Sequence, residues 1–154
     1  MVHNIYLLKK INMKLIIIIF AFFACSFSIF AKENNFFNEA KKLFEKEKYE
    51  KSKFYFQKNI VYNPKHAESY LYLAKIFKQE ENNSEEEKNL NTTLLLEPKN
   101  EEAMYLLIDI ELKRSNFSKV EDLKKDFKIV CKSMCEKLSS IDSRLKEFEK
   151  KDES

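Results

Sequence analysis

The chain has 154 residues with 28 Lys+Arg, 25 Asp+Glu, two His, two Pro and neither Gly nor Trp, the length of one domain. Its net charge of +3 comes from the lysines of the first 31 residues, so residues 32–154 are balanced and offer no basic stripe for nucleic acid. Without glycine there is no phosphate loop, dinucleotide fingerprint or nucleophile elbow, and a single His beyond the N-terminal segment leaves little for acid–base or zinc chemistry.

Residues 15–31, LIIIIFAFFACSFSIFA, are an apolar run behind Lys9, Lys10 and Lys14, with Met1 or Met13 as the first residue. A basic start and a short apolar stretch read as a secretory address or a membrane anchor. Three readings stand side by side. The first is cleavage after Ala31. The second is lipidation of Cys25 behind the loose lipobox Phe22-Phe23-Ala24. The third is an uncleaved anchor, whose seventeen residues sit at the lower edge of what a bilayer needs. Each puts residues 32–154 outside the cytoplasm or at its membrane. Usage heavy in Lys, Asn, Ile and Phe points to a bacterium, and hence to the periplasm or a membrane-anchored site facing it.

Beyond residue 31 the apolar spacing is helical. Phe36, Ala40, Leu43 and Phe44 share a face, as do Tyr70, Leu73, Ala74 and Phe77, then Leu90, Leu94 and Leu95. Asn63-Pro64 and Glu97-Pro98 break the pattern, because a residue before proline is pushed out of the α region. Ser84-x-x-Glu87 and Ser118-x-x-Glu121 read as capping boxes. The spacing predicts helices near 33–46, 49–62, 67–80, 84–96, 100–114 and 118–130. A last stripe, Met134, Leu138, Ile141, Leu145 and Phe148, predicts a helix over 133–150 that caps the open end or associates with a second copy. No stretch alternates as a strand does.

The two prolines are 34 residues apart, and the segments ending in them superimpose. Phe36, Tyr70 and Met104 open successive first helices. Ala40 and Ala74 are the small residues where paired helices cross, followed by Leu43 and Phe77. Tyr49 and Phe117 open second helices, and Ser52, then Phe56 and Leu90, continue the register to Pro64 and Pro98. This pattern resembles the tetratricopeptide repeat (TPR) family over roughly residues 33–131. Departures are Asn83 and Glu86 in the second unit, Ile108 and Glu111 in the third, and the missing third proline. The resemblance implies an all-α, right-handed helix-turn-helix solenoid of about three units (33–64, 67–98, 101–131). It would make up residues 32–132, with residues 133–154 as capping helix and frayed tail.

It also implies a groove lined by the first helix of each unit, across which a partner protein lies. Carried over, that groove is Phe37, Lys41 and Phe44, then Leu71, Lys75 and Lys78, then Tyr105, Asp109 and Leu112. Apolar anchors with interspersed lysines suit an amphipathic or acidic-tipped segment. Phe37 and Leu71 stand where a carboxylate clamp would need other side chains, so that type of ligand is not expected. The expected function is a non-enzymatic adaptor holding a protein partner in a cell-envelope assembly. Self-association through residues 133–150 and chaperone-like binding of exported chains are the alternatives.

Little else carries chemistry. Glu80, Glu81, Glu85, Glu86 and Glu87 read as a solvated turn rather than an acid–base pair. His66 reads as a surface residue. Neither catalytic residue, cofactor nor metal is expected. Cys131 and Cys135, four apart, are two small half-buried residues, a weak metal pair, or a disulfide that would require a turn at Lys132-Ser133.

Overall fold

The computed structural model describes residues 36–152, with side chains through residue 147. The readings of residues 1–31, Cys25 included, and the placement of the Phe148 side chain lie outside the described residues.

Within them the chain forms seven helices and no strand. These are α1 over 36–45, α2 Tyr49–Tyr62, α3 Ala67–Gln79, α4 Asn83–Leu96, α5 Glu101–Lys113, α6 Phe117–Val130 and α7 Lys137–Asp152. Loops of three or four residues join α1 to α6, which forces each helix to run antiparallel to the last. The molecule therefore has two ends. At one, second helices finish beside the start of first helices: Phe36 of α1 stacks on Tyr62 of α2 at 5.5 Å. At the other, first helices finish beside the start of second helices: Lys53 reaches Glu80 at 2.6 Å, and Arg114 reaches Glu87 at 2.7 Å.

The turns repeat as the helices do. Glu47, Glu81 and Ser115 follow α1, α3 and α5 at 34-residue intervals, with φ of 56°, 57° and 56°. Each sits in a Schellman closure: Lys48, Asn82 and Asn116 donate their backbone N–H to the carbonyls of Leu43, Phe77 and Glu111 at 2.9, 2.9 and 3.0 Å. Glycine would take this left-handed conformation at no steric cost; here side-chain-bearing residues take it. The turns after α2 and α4 use Pro64 and Pro98, closed by His66 N–H to Asn63 O and Asn100 N–H to Glu97 O. His66 is thus no idle surface residue: its Nδ1 caps α3 by accepting from Ser69 N–H at 3.2 Å. The capping boxes at Ser84 and Ser118 are not used. Asn82 caps α4, accepting from Glu85 N–H, and α6 begins at Phe117 after Asn116, whose amide donates to Glu111 instead.

Two cores result. The first is aromatic: Ala40, Phe56, Leu73 and Ile76 are buried, ringed by Phe37, Phe44, Tyr49, Tyr55, Tyr72 and Phe77. The fully buried Ala40 lets α2 approach closely enough for Ser52 Oγ to donate to the Ala40 carbonyl at 2.8 Å. The second is mainly aliphatic, with Phe127 its one buried ring, and runs from Leu71 and Ala74 through α5 and α6 to Ile141 and Leu145 of α7. Ile108, which replaces the small residue of the pattern, is fully buried there. The last helix starts at Lys137 rather than 133, because Cys131 turns extended (φ −60°, ψ 141°) and is disulfide-bonded to Cys135. The half-turn they enclose occupies what would have been the helix's first turn.

Candidate protein-binding face

The face of α1, α3 and α5 centres on Tyr72. Its ring stacks on Phe56 at 5.0 Å and meets Phe44 edge-on at 5.0 Å and Phe37 at 6.1 Å. Phe37 also packs against His66 at 4.5 Å. Two ammonium groups flank the ring, Lys41 at 5.8 Å and Lys75 at 4.8 Å from its centroid. A lysine over an aromatic face is held by the ring quadrupole while staying available to solvent and ligand.

From there an ionic ladder crosses the face. Lys41 of α1 approaches Glu68 of α3 at 4.0 Å, and Lys75 of α3 bonds Glu102 of α5 at 2.6 Å. Lys78 of α3 bonds Asp109 of α5 at 3.2 Å, and Arg144 of α7 closes on the same carboxylate at 2.7 Å, with Lys113 at 3.4 Å. Burial raises the Asp109 pKa, but hydrogen bonds from Arg144 and Lys78 outweigh it and hold the carboxyl below its ordinary value. Asp109 is therefore a fixed charge that pins α7 to α5 and not a free acid for a ligand.

An open cleft of about 790 Å³ lies at the start of α3 and α5, lined by Glu68, Leu71, Glu101, Glu102, Ser133 and Met134 among others. The disulfide-closed turn forms one wall. Its backbone N–H groups at Ser133 and Met134 donate to the Glu101 carboxylate at 3.0 and 2.8 Å. These bonds, with one from Lys132 as the largest, lower the Glu101 pKa. Successive N–H groups converging on one oxygen form an anion nest, here filled by the chain's own side chain.

Of the nine residues expected in the groove, Phe37, Lys41, Phe44, Lys75, Lys78, Tyr105 and Asp109 lie partly exposed on this face. Leu112, fully buried, belongs to the second core, and Leu71, 5% exposed, belongs to that core while reaching the floor of the cleft at the start of α3 and α5. Tyr72, Glu68, Glu102, Glu101 and Arg144 were missed. The 27-residue interval shared by Lys41–Glu68 and Lys75–Glu102 was the available signal for two of them. One buried group stands behind the face. Glu86 of α4 occupies the helix-crossing slot that Ser52 fills in α2, is 1% exposed, and its Oε2 has no hydrogen-bond partner. Burial raises its pKa, against Lys78, Lys113 and Arg114 nearby. Among the described residues no cluster of His, Cys, Asp and Glu could hold a metal, and no helix is long and apolar enough to cross a membrane.

No protein-family model matches the sequence, and a comparison with curated proteins finds no match. Solved structures do match, through the backbone. The Arabidopsis OM64 TPR domain superimposes with a TM-score of 0.67 at 12% identity, over 75% of this chain and 95% of that one. The Yersinia enterocolitica type III secretion chaperone SycD, in complex with a peptide of the translocator YopD, gives 0.65 at 15% identity over 77% and 93%. The first TPR of Spaghetti (RPAP3), bound to the HSP90 peptide SRMEEVD, gives 0.63 at 13% identity over 74% and 93%. The chain has the TPR-type fold: an all-α helical repeat array.

Proposed function

We propose that this array is a non-enzymatic adaptor that holds one extended or helical segment of a partner protein across the face of α1, α3 and α5. The observation that carries the reading is the Tyr72 centre, where half-exposed aromatics and two ring-held lysines lie together on one face, beside the cleft at the start of α3 and α5. Apolar anchors supply affinity and the lysines orient the bound segment. Two of the similar structures hold peptides, of YopD and of HSP90, which supports such use of this fold. Exposed ion pairs contribute little to folding, so Lys41 and Lys75 can exchange Glu68 and Glu102 for a ligand carboxylate at small cost. The apolar segment 15–31 supports an extracytoplasmic setting, with the partner in the cell envelope.

The test is site-specific photocrosslinking in cells from Lys41 and Tyr105, with Lys88 on the outer surface as control. One partner captured from both groove positions, not from Lys88, and lost from position 105 in Lys41→Glu/Lys75→Glu, is the expected result. Capture that is equal from Lys88, or unchanged in the charge-reversed variant, overturns it.

A further inference from the structure

Val61, Leu95 and Ile129 are 78%, 81% and 81% exposed. Each is the penultimate residue of a second helix, α2, α4 and α6, and they recur at 34-residue intervals. An exposed aliphatic residue by itself needs no explanation. Three at one position of three successive units make a row, and packing of the fold does not require it, since none belongs to either core. Exposed lysines border the row: Lys65 and Lys99 in the turns after α2 and α4, Lys128 and Lys132 around the end of α6. Among the described residues none of these four has an ion-pair partner.

The place of this row in the molecule matters. Second helices finish at the end of the array where α1 begins, as the Phe36–Tyr62 stack shows. Only four residues, 32–35, separate Phe36 from the apolar segment 15–31. From Ala31 to Phe36 the chain reaches at most about 18 Å. A bilayer spanned by residues 15–31 is thus within about 18 Å of the end that carries the aliphatic row, and one holding a lipid on Cys25, eleven residues before Phe36, within about 40 Å. The acids on the groove side of that end are engaged: Glu68 with Lys41, Glu102 with Lys75, Glu101 in its backbone nest, Glu97 with the Asn100 amide; Glu39 in the first turn of α1 and Asp126, three residues before Ile129, are exposed and stand against the four lysines.

We infer that Val61, Leu95 and Ile129, with Lys65, Lys99, Lys128 and Lys132, form a membrane-docking edge for an anionic bilayer. The aliphatic side chains enter the interfacial layer and the lysines meet acidic headgroups, the two-part recognition of peripheral membrane surfaces. Docking by this edge leaves the α1–α3–α5 face open to the aqueous side. The tether in this inference rests on the membrane reading of residues 15–31; the edge itself does not depend on the proposed partner.

The absence of tryptophan gives a clean probe. The full chain carrying Leu95→Trp is compared with one carrying Lys119→Trp, an exposed position at the start of α6 and so at the far end. Both are mixed with phosphatidylcholine/phosphatidylglycerol vesicles containing brominated lipid, and mass spectrometry establishes whether residues 15–31 are retained. The expected result is a blue shift and quenching at position 95 only. It should weaken with salt, in pure phosphatidylcholine and in Lys65→Glu/Lys99→Glu/Lys132→Glu, with helicity unchanged. A chain that keeps residues 15–31 and binds vesicles, yet leaves the indole of the Leu95→Trp variant unquenched, overturns the docking edge while the tether stands. A blue shift at position 95 that follows protein concentration without lipid overturns it in favour of a second copy. Equal quenching at both positions also overturns it.

Discussion

The two halves of the array solve the same packing problem with different materials. The α1–α2–α3 half follows the repeat pattern closely and closes with aromatic rings around Ala40, Phe56 and Ile76. The α5–α6–α7 half departs from the pattern, is mainly aliphatic around the one buried ring of Phe127, and ends in a helix outside the repeat. In the first half the rings of Phe36, Phe37 and Phe44 stay partly exposed. In the other, Ile141 and Leu145 are buried, Arg144 is bonded to Asp109, and the disulfide turn is bonded to Glu101. Agreement with a repeat motif thus marks where a unit keeps a usable face, and departure marks where the array is sealed.

The contrast can be broken most forcefully at Phe56. Phe56→Ala removes a fully buried ring from the aromatic half and is expected to cost about 3–5 kcal/mol in denaturant unfolding. Ile141→Ala, in the seal, is expected to cost about 2–4 kcal/mol. If the array unfolds as one cooperative unit, the far-ultraviolet signal and hydrogen exchange in α2 both report this second loss. Two separated transitions would show the halves to be independent.

A smaller effect sharpens the junction between the halves. The raised pKa of buried Glu86 means the folded protein holds its proton more tightly than the unfolded chain does. Its contribution is most favourable below the ordinary glutamate range and is lost as pH rises through the raised value. Glu86→Gln is therefore expected to stabilise the protein by about 1 kcal/mol at neutral pH and by less near pH 4, read from urea midpoints at the two pH values. Smallest of all, Glu81→Gly relieves a left-handed backbone and is expected to stabilise by about 0.5–1 kcal/mol. Ser115→Gly should match it within error, since the two turns share one closure.

The fold was legible because its determinants recur. Ala40 and Ala74, Pro64 and Pro98, and Phe56 and Leu90 occupy equivalent places, and a backbone crossing repeated in space must repeat in sequence. The resemblance to TPR proteins rested on those residues, and the superpositions agree with it. The face was legible only in part. Leu112 shares α5 with true surface residues, and which side of that helix is covered depends on the offset between stacked pairs, a quantity that no local pattern carries. The start of α7 was misplaced because the periodicity of Met134, Leu138 and Ile141 continues through a turn that Cys131 and Cys135 impose. Glu86 stood out as a misfit in a small-residue slot, but its burial follows from its neighbours.

The seal also sets an order in time. Domains generally begin to fold from the N-terminal side as the chain is made, and here the element that covers the aliphatic core comes last in the sequence. The aromatic half can close as soon as α3 has emerged. The aliphatic half must wait, its apolar surface bare, until Ile141 and Leu145 arrive. A premature stop just before α7 would therefore yield a chain that is helical and sticky at one end, a ready mark by which proteases and chaperones could tell an unfinished copy from a finished one.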